Sequence, residues 1–258
     1  MPWNFFHPFR WKTKFCRCKL LQAAKNRLQN RKRPEACPAT FTSMGGSTSA
    51  SLSVSKKAAH VITKINPKFE LVIKRSGLCT LGITRGKSRA RESNFAALAS
   101  SILSQQLSTK AAATIISRVE DLSGGKLQAT KIASLTSQQL RNAGCSHAKA
   151  RSITQLAHAT VEGEIPISSL HRLSNEEIME HLLPLFGIGR WTVEMFLMFQ
   201  LGRPDIWPVG DLGVRRGWEK IHNMRTEIEP HKLEKLGAVY APYRSHVAWY
   251  CWRALEVL

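Results

Sequence analysis

Residues 181–217 decide the fold and read HLLPLFGIGRWTVEMFLMFQLGRPDIWPVGDLGVRRG. This pattern predicts a helix, a tight turn over residues 186–189, a second helix over residues 192–201, a loop and a third helix. The second helix carries a nearly continuous band of apolar residues, which is typical of a helix buried on most sides. The two glycines of the turn permit positive φ and let another backbone or a phosphate approach closely. An acidic residue, Asp211, follows the loop.

The charge of the chain is strongly positive and unevenly distributed. The 258 residues carry a formal net charge of +20, and 14 of the 38 Lys and Arg residues fall in residues 1–68 beside one acid, Glu35. This balance indicates a polyanionic partner, nucleic acid first and an anionic membrane surface second. The plainer alternative is that the charge only keeps the protein soluble. No apolar run is long enough to span a membrane, and we expect no membrane partner.

The six cysteines are scattered along the chain and form no CxxC pair. Such spacing suggests neither a disulfide framework nor a zinc site, and it fits a reducing compartment. We therefore predict no metal site built on cysteine.

The sequence divides into a basic segment, residues 1–57, and a folded domain, residues 58–258. Composition predicts disorder for the basic segment, whose residues 45–55 are rich in Gly, Ser and Thr and read as a linker. Residues 1–34 contain no acid, which leaves open an organelle transit peptide, a nuclear import signal, a DNA-contacting arm or an unstructured extension. We expect a nuclear protein, with the mitochondrion or plastid as the alternative.

The folded domain is predicted to be helical, because residues 95–258 show no convincing strand pattern. Residues 94–119 repeat apolar side chains at three- and four-residue steps, with a polar interruption at residues 104–107. The pattern Ser174–Glu177 is a capping box that starts the helix before the turn. Further helices are predicted over residues 57–73 (broken at 66–67), 131–140, 151–161, 212–222, 233–240 and 243–255. The fold class is therefore all-α.

The opening stretch resembles the helix-hairpin-helix and the following Gly/Pro/Asp loop of the HhH-GPD DNA glycosylases. Within that superfamily it is most similar to the alkylpurine (3-methyladenine) glycosylases of the AlkA/Mag type. The residues that carry the resemblance are Leu185, Gly187, Ile188, Gly189, Trp191, Thr192, Pro208, Gly210 and Asp211. The resemblance extends from about Phe95 to Trp252. It implies two helical subdomains with the helix-hairpin-helix, about residues 176–202, at a DNA-binding cleft.

The resemblance gives Asp211 the catalytic role, either by stabilising the sugar cation or by activating a water. From the residues alone, Asp211 is better explained as the N-cap of the helix over residues 212–222, and the two roles are compatible. Trp191 stands where bifunctional members place a nucleophilic lysine, so the resemblance implies a monofunctional enzyme. The alternative is a non-catalytic helix-hairpin-helix module that only binds DNA.

Two tryptophans, Trp191 and Trp252, fall where the alkylpurine enzymes have pocket aromatics. Met195, one turn beyond Trp191, is a further candidate for the pocket wall. Alkylated purines carry positive charge, which the face of an indole attracts. For a lone tryptophan, core packing would be the better explanation. The implied partner is double-stranded DNA containing alkylated bases, bound by a monomer.

The resemblance implies that the hairpin grips a phosphate of the lesion strand through backbone amides. The residues concerned are Gly187, Ile188, Gly189 and Thr192. It also leaves open a monovalent cation bound at the hairpin. Some members hold an iron–sulfur cluster on four closely spaced C-terminal cysteines, but only Cys251 lies near the C-terminus here. We therefore expect no such cluster and no other cofactor.

The polar interruption at residues 104–107 resembles the segment whose tip fills the hole left by a flipped nucleotide. Gln106 falls at the plug position, and Leu107, one residue on, is the near alternative. Taken alone, Gln105 and Gln106 are better explained as a solvated helix turn. Lys149, three residues after a predicted N-cap at Ser146, is expected either to touch a phosphate or to lie in solvent.

Overall fold

Helices are the only regular structure in the part of the chain that the structure describes. This computed structural model describes residues 48–81 and 93–258, and no β-strand occurs there, which confirms the all-α prediction. None of the described helices is both long and apolar enough to cross a bilayer. The α-helices are α1 (Thr48–Ile65), α2 (Glu70–Ser76), α3 (Asn94–Ser104), α4 (Thr109–Leu122), α5 (Ala129–Ala133), α6 (Ser137–Asn142), α7 (His147–Val161), α8 (Asn175–Leu182), α9 (Arg190–Met195), α10 (Leu212–His222), α11 (Pro230–Gly237) and α12 (Arg244–Val257).

The helices pack in two groups. In the first group α10 packs against α12, which also contacts α1 and α2. In the second group α7 contacts α3, α5 and α6, while α9 contacts α8. The two groups of helices meet where α9 faces the start of α10 and the C-terminal half of α12. Trp191, Asp211 and Trp252 lie at this junction.

A glycine brings α10 and α12 into unusually close contact. A Cβ atom on Gly217 would lie 1.9 Å from the carbonyl oxygen of Cys251, so no larger residue fits without moving a backbone. The side chain of Trp207 is buried close by, and its indole N–H donates to the Leu233 carbonyl at 3.0 Å. Trp207 is therefore a core residue that fixes the loop leading to α10.

The first described helix begins earlier than the sequence predicted. Helix α1 starts at Thr48, so residues 48–57, predicted to lack structure, are helical. The serine-rich composition did not indicate that one face of this helix is packed. Ser55 and Ala58 are fully buried, and the Ser55 hydroxyl donates to the Cys79 carbonyl at 2.8 Å. The rest of the predicted disordered segment, residues 1–47, lies outside the described residues.

Most other predicted helices are present with ends shifted by a few residues: the one predicted over residues 151–161 begins at His147, and the one predicted over residues 233–240 begins at Pro230. Two predictions differ more. The helix predicted over residues 131–140 is divided into α5 and α6, because Thr136 and Gln139 form a capping box that starts α6. The helix predicted over residues 192–201 begins at Arg190 and continues beyond α9 as a π-helix, Phe196–Gln200. A π turn inside a helix is rare and concentrates at functional sites, and sequence periodicity does not reveal it.

Candidate active site

The two glycines of the hairpin between α8 and α9 have different structural roles. The hairpin starts from a capping box in which Ser174 and Glu177 cap α8 reciprocally. Gly187 has a φ of +80°, and a Cβ atom there would lie 2.1 Å from the Ser152 hydroxyl oxygen. Gly189 has a φ of −98°, and its Cβ would meet nothing within 4 Å. The fold thus requires glycine at 187, whereas the space beside Gly189 is open to a ligand.

The side chains of Ile188 and Thr192 point into the protein core. They are 5% and 4% exposed, and the Ile188 N–H donates within the turn to the Leu185 carbonyl at 3.2 Å. Their side chains therefore cannot reach a phosphate. Gly189 is the N-cap of α9 and provides no side-chain cap, and the first N–H groups of a helix have no partner within it. The exposed backbone around Gly189 is the part of the hairpin that can meet an anion.

An ion pair that the sequence analysis did not predict lies beside the same turn. The Arg190 Nε lies 2.9 Å from Glu194 Oε1; the arginine side chain is 70% exposed and the glutamate side chain 5%. Burial raises the pKa of Glu194, and the hydrogen bond from Arg190 opposes that rise. The spacing of four residues on one helix was the available signal. The pair holds a guanidinium at the exposed end of the hairpin.

Asp211 receives three hydrogen bonds at the N-terminus of α10. Its Oδ1 accepts from the Val214 N–H at 2.8 Å and from the Trp252 indole N–H at 2.9 Å. Its Oδ2 accepts from the Trp191 indole N–H at 2.6 Å. The predicted N-cap role is therefore confirmed. The structure also brings together Asp211, Trp191 and Trp252, which lie on three different elements.

The two indoles are partly exposed, in contrast to the buried Trp207. Trp252 stacks on Phe199 of the π-helix with ring centroids 5.8 Å apart and an interplanar angle of 30°. Met195 is only 8% exposed and belongs to the core. Of the three residues predicted for the pocket, the two tryptophans therefore have exposed surface that a ligand can contact, whereas Met195 has little.

Gly213, in the first turn of α10, is a site residue that the sequence analysis did not single out. A Cβ atom there would lie 2.8 Å from Trp252 Cδ1 and 3.1 Å from Asp211 Oδ1. The absence of a side chain lets the indole edge approach the carboxylate. A glycine inside a helix was the available signal, because glycine is unfavourable there without a packing reason.

The polar interruption lies between α3 and α4 and forms a tight turn. Gln105 has φ −52° and ψ 131°, Gln106 has φ +57°, and the Leu107 N–H donates to the Ser104 carbonyl at 3.3 Å. These values fit a type II turn, in which the position of Gln106 usually requires glycine. Gln106 is exposed at the tip and Leu107 is partly buried.

Two polar side chains at this turn donate hydrogen bonds to backbone carbonyl groups. The Gln105 side-chain amide is partly exposed and donates to the Gly187 carbonyl at 3.1 Å, a contact with the hairpin that the sequence did not predict. The Lys149 ammonium donates to the Leu103 carbonyl at 2.7 Å, a partner that the sequence did not predict. A cation is favourable there because the carbonyl lies at the C-terminal end of α3. Ser146 caps α7 as predicted.

The described residues contain no group of three or more His, Cys, Asp or Glu side chains that could hold a metal ion. The three described cysteines, Cys79, Cys145 and Cys251, are buried thiols. Burial raises the pKa of each, to about 12 for Cys79, so none of them is an activated nucleophile.

Comparison with known proteins identifies the class to which this fold and site belong. The family described as "HhH-GPD superfamily base excision DNA repair protein" matches residues 99–242. The chain is 36% identical over 174 residues to DNA-3-methyladenine glycosylase 1 of Schizosaccharomyces pombe, covering 66% of this chain and 76% of that one. The DNA-3-methyladenine glycosylase of Saccharomyces cerevisiae is 31% identical over 197 residues, covering 63% and 67%.

Solved structures show the same fold. The S. pombe 3-methyladenine DNA glycosylase in complex with abasic DNA aligns with a TM-score of 0.65 at 33% identity, covering 76% of this chain and 95% of that one. A DNA-3-methyladenine glycosidase from Bacillus halodurans aligns with a TM-score of 0.66 at 32% identity, covering 76% and 88%. The chain belongs to the HhH-GPD superfamily of base excision DNA repair proteins.

Proposed function

We propose that this protein is a monofunctional DNA glycosylase that excises alkylated purines, of the 3-methyladenine and 7-methylguanine type, in base excision repair. It binds double-stranded DNA and hydrolyses the N-glycosidic bond of the damaged base. The relatives described above are 3-methyladenine glycosylases by name, and one of them was solved on abasic DNA. The bond is unreachable inside a duplex, so the base must first leave the stack.

One observation carries the proposal: a carboxylate held between two partly exposed indoles. Asp211 Oδ1 and Oδ2 each accept from an indole N–H, at 2.9 and 2.6 Å. Cleavage of an N-glycosidic bond develops positive charge on the sugar, which a fixed carboxylate stabilises. A module that only holds DNA needs neither the carboxylate nor its two indole donors, so the non-catalytic alternative is disfavoured.

The hydrogen bonds of Asp211 favour electrostatic stabilisation over proton transfer. A carboxylate offers about four acceptor positions, and Val214, Trp191 and Trp252 occupy three of them. These three bonds hold the carboxylate in one orientation, as a fixed charge beside the sugar requires. The proposal gives Asp211 the role of a fixed negative charge beside the sugar, with one acceptor position left for the attacking water.

The proposed base pocket selects cationic purines by charge. An alkyl group at N3 or N7 gives the purine a positive charge, and the electron-rich face of Trp attracts cations more strongly than neutral bases. Asp211 holds both indoles at their N–H edges, and Phe199 stacks on one face of Trp252. The proposal assigns the exposed part of the two indoles to contact with the base. A charged purine is also a good leaving group, so the reaction needs little help from a general acid.

The absence of an amine at residue 191 predicts that the enzyme forms no covalent intermediate. A glycosylase that also cleaves the strand attacks the sugar with a lysine and passes through a Schiff base. We expect that borohydride will not trap this protein on lesion-containing DNA under conditions that trap a bifunctional glycosylase run in parallel. Efficient trapping would show that another amine is the nucleophile and would overturn the monofunctional assignment.

The strained turn supports Gln106 as the residue that fills the gap in the duplex. A non-glycine residue with positive φ is uncommon, and its strain persists only where the surroundings impose it. Glycine would relieve the strain, but it has no side chain to place between bases. We therefore propose Gln106 as the plug and keep Leu107, which is partly buried, as the alternative.

Replacement of Gln106 by Gly should move stability and activity in opposite directions. The left-handed conformation costs a residue with a side chain about 1 kcal/mol, so Gln106→Gly is expected to raise the melting temperature. The same change is expected to slow base release roughly tenfold or more, because the flipped state loses its support. Thermal unfolding and single-turnover release measure the two effects. A variant with unchanged release would exclude Gln106 and move the role to Leu107.

The proposed reaction uses water and needs no cofactor. The monovalent cation at the hairpin, the monomeric state and the nuclear or organellar destination stay predictions.

A further inference from the structure

Two routes of contact, one direct and one through helix α7, connect the turn that carries Gln106 to the hairpin. The first is direct: the Gln105 side chain donates to the Gly187 carbonyl at 3.1 Å. Residues 105 and 187 are far apart in sequence and belong to two motifs that the resemblance treats separately. The bond therefore joins the proposed plug to the proposed phosphate grip.

The second route runs through helix α7. Lys149, in its first turn, donates to the Leu103 carbonyl at 2.7 Å and so holds the end of α3, just before the plug turn. Within the next two turns of α7, three side chains hold the hairpin. Ser152 packs against Gly187, the Gln155 side-chain Oε1 accepts from the Phe186 N–H at 3.0 Å, and the Arg151 guanidinium lies 4.2 Å from the Phe186 ring centroid.

We infer that Gln105 and Lys149 are positioning residues that hold the Gln106 turn at a fixed distance from the hairpin. This inference rests on the proposed function. The plug must enter the duplex while a phosphate of the same strand is gripped, so an error in their separation reduces the population of the productive complex. A strained turn at the end of a helix keeps its shape only if its neighbours fix it. Gln105 does so from within the turn, and Lys149 does so at Leu103, the residue just before it.

The test measures insertion separately from chemistry. The full chain is bound to a duplex with a tetrahydrofuran abasic analogue and a neighbouring 2-aminopurine, whose fluorescence rises when the plug unstacks it. Single-turnover release of methylated purines is measured in parallel. The variants are Gln105→Met and Lys149→Met, which keep an apolar stem and remove the donor. The controls are Gln138→Met and Lys131→Met, exposed residues of α6 and α5.

Loss of one hydrogen bond of this kind is expected to lower both signals about five- to tenfold, while the control variants stay within about twofold. Thermal unfolding identifies any variant that loses signal by unfolding. Because Gln105 is partly exposed and its partner is a surface carbonyl, its variant is expected to melt close to wild type.

A double-mutant cycle separates a positioning role from a general structural role. If Gln105 acts through the plug, Gln105→Met will have less than about a twofold effect on release in a Gln106→Gly background. A full effect in that background would overturn the inference, as would wild-type insertion by Gln105→Met. Failure of the proposed function would look different: wild type would give the fluorescence rise but release no methylated purine. A wild type that gives no fluorescence rise would overturn the inference itself.

Discussion

Replacement of Asp211 by Asn is expected to slow the release of methylated purines on the order of a thousandfold. The change removes the negative charge beside the sugar. It also leaves one indole N–H without a good acceptor. In Asp211 one carboxylate oxygen accepts from Val214 and Trp252 and the other accepts from Trp191, and the single amide oxygen of Asn cannot replace both. If the oxygen stays with Val214 and Trp252, the new NH2 group faces the indole N–H of Trp191.

Single-turnover release with the enzyme in excess measures this effect without contributions from product dissociation. Asn caps helices as well as Asp does, so helix α10 should stay formed, and DNA affinity should change little. Asp121→Asn, an exposed position on α4, is the matched control and should release bases at the wild-type rate. Release by Asp211→Asn within about tenfold of wild type would contradict the catalytic assignment.

The second large effect is expected from Gly213→Ala. The new methyl group would lie 2.8 Å from Trp252 Cδ1 and 3.1 Å from Asp211 Oδ1, closer than van der Waals contact allows. The indole and the carboxylate must then separate. A displacement of about 1 Å in an active site can slow the reaction about a hundredfold. Alanine is better than glycine within a helix by about 1 kcal/mol, which offsets part of the lost packing.

Release kinetics and near-ultraviolet circular dichroism, which reports the indole environment, test this expectation together. Gly210→Ala is the companion variant, because a Cβ atom there meets nothing within 4 Å in the free protein. Its circular dichroism should match that of wild type, whereas the spectrum of Gly213→Ala should differ. Wild-type release by Gly213→Ala would show that the close contact of indole and carboxylate is unnecessary.

Local sequence signals predicted most of the helical framework. The capping box at Ser174 and Glu177, the N-caps at Ser146 and Asp211 and the break at residues 104–107 all depend on side chains within a few residues of one another. Such interactions are readable from the sequence because the partners are neighbours in the chain.

The features that the sequence did not reveal depend on contacts between distant residues. Ser55 reads as part of a linker until its bond to the Cys79 carbonyl is known. Gln105 reads as a solvated glutamine until the hairpin carbonyl of Gly187 lies beside it. Gly213 is explained only by Trp252, which comes from another helix. Tertiary packing decides these positions, and periodicity and composition contain no information about it.

The candidate active site also combines features that the sequence predicted with features that only the packed structure shows. The residue types at 191, 211 and 252 predicted an indole-lined carboxylate site through the resemblance. That both indole N–H groups donate to the same carboxylate is a property of the packed structure. This geometry fixes the orientation of the carboxylate that caps α10.

The measurement that tests the central claim most directly is release of free bases from alkylated double-stranded DNA by the full chain. Strand scission is scored in the same sample. The proposed function predicts release of 3-methyladenine and 7-methylguanine with strands that stay intact until alkali cleaves the abasic sites. Intact DNA-binding without any release of alkylated purine, or scission before alkali is added, would contradict it.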